Sequence, residues 1–328
     1  MDETEIFEGT VLDEWSGWRV DQALAKLFPD YSRSRLKTWL KDGQILVDGE
    51  IKRPKDKVLG GEQVTLRVVL TSENVWEAEN IPLNIVYEDE HLLVINKPAN
   101  MVVHPAAGNF NGTMLNALLH HAPELEAVPR AGIVHRLDKE TSGLLVVART
   151  LISQKLLVEQ LQARTFLREY DAIIRGSVTA GSTITQPIGR HPIHRKRMAV
   201  TDKGKQAITH FRVSERYRLH TKLTVKLETG RTHQIRVHMA YINHPLLGDP
   251  VYGGRFKIPA ASDDAFVEAL KSFKRQALHA RHLGLIHPAT NEFIEWEVDV
   301  PQDMEDLQNT LRLDFEKHKD DIKRKNDR

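Results

Sequence analysis

Asp138 stands in the run Gly132-Ile133-Val134-His135-Arg136-Leu137-Asp138-Lys139-Glu140-Thr141-Ser142-Gly143, a polar cluster that follows a short apolar lead-in. Thr141-Ser142-Gly143 then turns the chain into Leu144-Leu145-Val146-Val147. The pattern predicts a connection between two strands, the kind of place where a rigid frame displays reactive groups. A carboxylate held there can act as a nucleophile or as a general base. The same spacing also suits plainer roles: capping the turn, pairing with Arg136 or Lys139, or facing solvent. Tyr170 lies in a strand-like run, 166–174, on one face with Phe166, Ala172 and Ile174. Its default reading is a core tyrosine.

Other chemistries find less support. The chain has no cysteine, which removes disulfides, thiolate nucleophiles and cysteine-held zinc together. Its 16 histidines raise the question of a metal. His233 and His238 are five apart, a spacing that diverges on a helix, and His191 and His194 sit among arginines that would repel a cation. With no carboxylate or cysteine to complete either set, no metal is expected.

The elements that must position these groups span 328 residues, more than one core usually needs, so two unequal domains are expected. Basic and acidic residues nearly cancel, 46 against 45, and only their distribution can speak for nucleic acid. The start of the chain is acidic and carries no signal-like pattern, and no apolar run is long enough for a bilayer, so the expected location is the cytoplasm.

After an acidic leader (1–17), Val20, Ala23, Leu24 and Leu27 recur at helical spacing and stop before Pro29. A second helix follows, with Ser32 as N-cap, an apolar stripe of Leu36, Trp39 and Leu40, and Gly43 as the stop. Arg33, Lys37 and Lys41 fall four apart along its edge as a basic ridge. Ile45-Leu46-Val47, Asp48-Gly49 and Glu50-Ile51 then read as a hairpin. Residues 68–83 lack periodicity and read as a linker, so this module with its linker spans 18–80. From there to 316, strand-length apolar runs alternate irregularly with helical patterns at 113–121, 151–163 and 232–241. That texture predicts an α+β domain built on a mixed, mostly antiparallel sheet with flanking helices and a central cleft. The end of the chain, from about Phe315 and throughout 317–328, is dominated by charge and is expected to fray.

Two resemblances sharpen this reading. The order helix, basic helix, glycine, Val-Asp-Gly turn resembles the αL motif of S4-like RNA-binding domains, which implies phosphate contacts by Arg33, Arg35, Lys37 and Lys41. His-Arg-Leu-Asp followed by Thr-Ser-Gly resembles the signature of the pseudouridine synthases that modify large-subunit ribosomal RNA. Further blocks of that family occur in order: 87–98 with His104-Pro105, then Arg168-Glu169-Tyr170-Asp171-Ala172, then 227–238, then Gly248-Asp249-Pro250-Val251-Tyr252-Gly253. Taken together, the two resemblances cover residues 18–315.

This family resemblance implies an isomerase that turns uridine into pseudouridine in a stem-loop of 23S ribosomal RNA of the helix 69 type, free or within a pre-ribosomal particle. It implies Asp138 as nucleophile, Tyr170 against the target base, and Arg231 in a salt bridge that keeps Asp138 charged. Arg136 is implied to fill the space of the everted nucleotide, with His135 as a weaker contact. The isomerisation is redox-neutral, so no cofactor is expected, and nothing calls for more than a monomer. The basic loop with Arg190, Arg195, Lys196 and Arg197 also suits RNA phosphate. Two alternatives stay open: an RNA glycosylase that releases uracil, and a non-catalytic RNA-binding assembly factor.

Overall fold

The computed structural model describes residues 4–29, 31, 33–69, 76–105, 109–194, 197–255, 258 and 260–320. The chain separates into two compact units, Met1–Val75 and Trp76–Arg328.

The first unit runs β1 (Thr4–Thr10), α1 (Val20–Leu27), α2 (Arg33–Lys41), β2 (Ile45–Val47) and β3 (Gln63–Val69). Val20, Ala23 and Leu24 of α1 are buried with Leu36, Trp39 and Leu40 of α2, Ile45, Val47 and Leu66, the stripes that the helical spacing marks out. The residues read as a leader are part of this fold: β1 pairs antiparallel with β3, which is central in the order β1-β3-β2. Ile6 is 58% exposed, so β1 is held by its backbone ladder and offers little apolar burial to reveal it. The Asp48-Gly49 turn forms with both φ angles positive, 52° and 78°. The expected return strand does not: Glu50 makes a single bridge to Val47, and β2 pairs instead with β3. Ser32 lies outside the described residues.

The second unit contains β4 (Ile85–Glu88), β5 (Leu92–Lys97), α3 (Met114–His121), β6 (Ser142–Ala148), α4 (Leu151–Ala163), β7 (Leu167–Arg175), β8 (Ser182–Ile184), β9 (Ile188–Arg190), β10 (Met198–Val200), β11 (Thr209–Arg216), β12 (His220–Leu227), α5 (Gln234–Tyr241), α6 (Asp264–Ser272), β13 (Leu278–Ile286), β14 (Phe293–Glu297) and α7 (Gln302–Lys317). A nine-stranded sheet follows the order β4-β5-β6-β13-β7-β12-β11-β8, with β14 added along β13. Only the β13–β6 contact is parallel among the described strands, so the sheet is mixed and mostly antiparallel as expected. Leu93, Ile95, Leu145 and Val147 enter one core with α3, while Leu92, Val94, Leu144 and Val146 enter another with α4. Burial on both faces is why these strands read as unbroken apolar runs.

Residues 76–83, read as linker, are fastened to this unit: Asn116 Nδ2 donates to the Glu77 carbonyl at 2.8 Å, and the Glu79 amide donates to the Asn116 carbonyl at 3.0 Å. Phe315 and Lys317, expected to fray, belong to α7, whose Met304, Leu307 and Leu311 are buried against Phe266 and Leu270 of α6. Residues 321–328 of the charged tail lie outside the described residues. Among the described residues no helix is long and apolar enough to cross a membrane.

Candidate active site

The segment before β6 is a fixed turn. Its lead-in forms no strand: Arg130, Ala131 and Gly132 all have positive φ, and Ile133 makes one bridge to Val147. Gly132 is required there, since a Cβ would lie 1.8 Å from the Ala148 carbonyl oxygen. The Thr141 amide donates to the Asp138 carbonyl at 3.0 Å and closes the turn. From outside, Gln276 Nε2 donates to Thr141 Oγ1, Ser142 Oγ meets His279 Nδ1, and both contacts are 3.0 Å. Lys97, fully buried at the end of β5, donates to the carbonyls of Pro98, Met101 and Lys139 at 2.7, 3.0 and 3.0 Å. Burial pulls its pKa down to about 7 against the pull of Glu140 and Asp138. The ammonium thereby ties the turn to the sheet on the residue next to Asp138.

Asp138 opens onto a cleft of about 1180 Å³ whose walls include Arg136, Arg168, Tyr170, Arg231, His233 and Arg236. Its Oδ2 accepts from Arg236 Nη1 at 2.9 Å. The remaining edge of that guanidinium grips Asp249, Nε to Oδ2 at 2.7 Å and Nη2 to Oδ1 at 2.9 Å. Asp249 Oδ1 also accepts the amides of Val251 and Tyr252, and the Tyr252 ring lies under the guanidinium with its centroid 5.1 Å from Cζ. Burial opposes the charge of Asp249, but Arg236 and the two amides outweigh it and hold its pKa below the usual range. Burial likewise opposes the Arg236 charge, and the two carboxylates more than compensate, raising its pKa.

The arginine paired with Asp138 is therefore Arg236, a correction to the expected salt bridge with Arg231. Arg231 sits before the helix, where its Nε donates to the Gln206 carbonyl at 3.0 Å and its amide to Gln234 Oε1 at 2.9 Å. Arg236 lies one turn into α5, where Gln234 to Met239 are all buried. A charged side chain that the helix buries must find a partner, but the sequence alone does not say which arginine of the block is buried.

Tyr170 lies on β7 between Ala280 of β13 and Val225 of β12, and is 6% exposed. Burial raises the pKa of its phenol, Arg168 opposes and Asp138 adds to the rise, so the hydroxyl keeps its proton at neutral pH. Arg136 is exposed at the cleft and has no hydrogen-bond or ion-pair partner among the described residues. His135 accepts the Val146 amide on Nε2 at 3.1 Å, and burial with the charge of Arg168 pushes its pKa down to about 3. It is a neutral part of the turn, with its Nε2 committed to β6.

The basic residues outside the cleft divide. Arg33 Nη2 and Lys37 Nζ both meet Oδ2 of buried Asp21 at 2.9 Å, with Arg19 on the other oxygen at 3.0 Å. Much of the ridge is thus spent on an internal charge. Lys41 is exposed, and the Arg35 side chain lies outside the described residues. Arg190 and Arg197 are exposed on the β9–β10 hairpin; Arg195 and Lys196 between them lie outside the described residues.

The profile of the RNA pseudouridylate synthase family matches residues 91–241, and that of the S4 domain matches residues 18–64. The chain is 55% identical over 314 residues to "Ribosomal large subunit pseudouridine synthase D" of Escherichia coli strain K12, covering 95% of this chain and 96% of the relative. It is 57% identical over 303 residues to the protein of the same name from Pseudomonas aeruginosa PAO1, covering 92% and 95%. Among solved structures, "Human RNA Pseudouridylate Synthase Domain Containing 1" is similar with a TM-score of 0.53 at 26% identity, over 71% of this chain and 89% of that one.

Proposed function

The chain belongs to the RNA pseudouridylate synthase family, and from that premise we propose that it isomerises uridine to pseudouridine in a stem-loop of 23S ribosomal RNA, with Asp138 as the catalytic nucleophile. The observation that carries this is the state of the Asp138 carboxylate: Oδ2 is clamped by Arg236, and the group opens into the cleft that Tyr170 also lines. A carboxylate held this way is paired with a cation, oriented and within reach of a substrate.

The reaction breaks the bond from C1′ to N1, turns the uracil, joins C1′ to C5, and moves the proton from C5 to the exposed N1. Electrons balance without a redox partner, so the chain's own groups suffice. Arg236 compensates the charge of Asp138 before the carboxylate attacks and again when it is released. Tyr170 supports the base with its ring, since stacking contributes about 1–3 kcal/mol per base and its hydroxyl holds its proton. The uridine must leave the RNA stack to enter the cleft, and Arg136, exposed at the cleft and without a partner among the described residues, fills the gap in this reading. The first unit and the β9–β10 hairpin add phosphate contacts through Lys41, Arg190 and Arg197. The enzyme acts as a monomer in the cytoplasm, on free RNA or on a pre-ribosomal particle, in the course of large-subunit maturation.

The test is incubation with unmodified large-subunit ribosomal RNA followed by pseudouridine mapping. Wild type should install pseudouridine at discrete positions and release no base, and Asp138→Asn should install none. Free uracil in solution would identify a glycosylase instead. An unchanged pattern with Asp138→Asn would make the aspartate structural.

A further inference from the structure

His233 caps the start of α5 in the left-handed conformation, φ 56°, uncommon for residues other than glycine. Its ring is held from behind. Nδ1 lies 2.8 Å from Tyr252 Oη, and that same oxygen accepts the Met198 amide at 2.9 Å. Tyr252 is itself fixed by Asp249 through its amide and by Arg236 against its ring. At the front of the ring, Nε2 faces Asp138 Oδ1 at 3.8 Å, too far for a hydrogen bond. Among the described residues neither atom has a hydrogen-bond partner, and both side chains line the cleft.

The proton on this imidazole can be placed. Tyr252 Oη accepts the Met198 amide and can give its own proton to His233 Nδ1, an arrangement that puts the imidazole proton on Nε2. The carboxylate of Asp138 favours the same tautomer, because an unprotonated Nε2 would set a lone pair against a negative oxygen. Nε2–H and Oδ1 thus form a donor and an acceptor with a gap between them. One oxygen about 2.9 Å from the nitrogen and about 2.8 Å from the carboxylate closes that gap, with roughly a right angle at the oxygen. It must accept from histidine and donate to aspartate, which is what a hydroxyl does and what a carbonyl or phosphate oxygen cannot.

We propose that Asp138 Oδ1 and His233 Nε2 form a seat for the 2′-hydroxyl of the target ribose. This hydroxyl is borne by the carbon next to C1′, so seating it sets the reacting carbon against Asp138. It is also the group that separates RNA from DNA. The seat makes the enzyme select a ribonucleotide at the target position itself, independently of how the rest of the RNA is held. The inference rests on the synthase reading above and assigns His233 as a positioning residue for that reaction.

The experiment uses a synthetic stem-loop RNA spanning a uridine that the wild-type enzyme has been mapped to modify, made with either uridine or 2′-deoxyuridine at that one position. Wild type should lose roughly 10- to 100-fold in kcat/KM on the deoxy substrate, the cost of leaving a donor and an acceptor unpaired. His233→Ala should be slower on the ribose substrate and show little further loss on the deoxy one. His233→Gln, which returns a donor near Nε2, should restore part of the discrimination. Equal rates of wild type on both substrates would overturn the proposal with no variant needed, as would an undiminished deoxy penalty in His233→Ala. Failure of the underlying reading has a separate signature: no pseudouridine from the all-ribose stem-loop, or free uracil.

Discussion

Arg236 divides one guanidinium between two carboxylates, giving Nη1 to Asp138 at 2.9 Å and Nε to Asp249 at 2.7 Å. Arg236→Ala should therefore destabilise the second unit. It leaves two carboxylates facing each other without their shared cation, at a cost of about 3–5 kcal/mol in denaturant unfolding. Arg236→Lys cannot span both partners and should lower activity on the order of 100-fold, as loss of a positioned electrostatic group does. Arg231→Ala, which frees only the Gln206 carbonyl, should cost about 1 kcal/mol or less. A larger stability loss for Arg231→Ala than for Arg236→Ala would contradict this arrangement.

Tyr170 is expected to act through its ring. Tyr170→Phe should keep kcat/KM within about 10-fold of wild type, whereas Tyr170→Leu should lose roughly 10- to 100-fold, the value of one stacked base. Complete inactivity of Tyr170→Phe would show instead that the hydroxyl moves the proton.

Acid should unfold the second unit through its buried histidines. Burial pushes the pKa of His135 to about 3 and those of His220 and His279 to about 4. In the unfolded chain they take a proton near pH 6.5, while the folded chain refuses it, so stability falls as pH drops from about 6.5 toward 4 and is unaffected by these groups above that window. Each contributes a slope of about 1.4 kcal/mol per pH unit. His135→Gln should flatten the slope by about that amount in denaturant titrations between pH 7 and 5.

RNA binding should separate cations that are free from those already employed. Lys41→Ala and Arg197→Ala should weaken binding to ribosomal RNA and each reduce the salt slope by about 1. Arg33→Ala instead removes a partner of buried Asp21 and should lower the stability of the first unit by about 1–3 kcal/mol. Burial works against the Asp21 charge, and Lys37, Arg33 and Arg19 together hold its pKa below the usual range. Equal salt slopes for Arg33→Ala and Lys41→Ala would show that both reach phosphate.

What lay open in the sequence was local. The stripes of α1 and α2, the helical pattern of α3, the Asp-Gly turn and the doubly buried strands each follow from propensities within a few residues, and so does the placement of Asp138 in a turn before β6. Tertiary pairing decided the rest. The strand β1 depends on a partner some sixty residues away and carries no apolar alternation to announce it. Arg231 and Arg236 belong to one block of sequence, and only the burial of α5 and the position of Asp249 determine which reaches Asp138. The facing of His233 Nε2 and Asp138 Oδ1 was still less legible, because it depends on Tyr252 orienting the ring from a third segment. Residue types and spacing can state that a carboxylate needs a cation. Which cation satisfies it depends on the geometry by which distant segments are buried together.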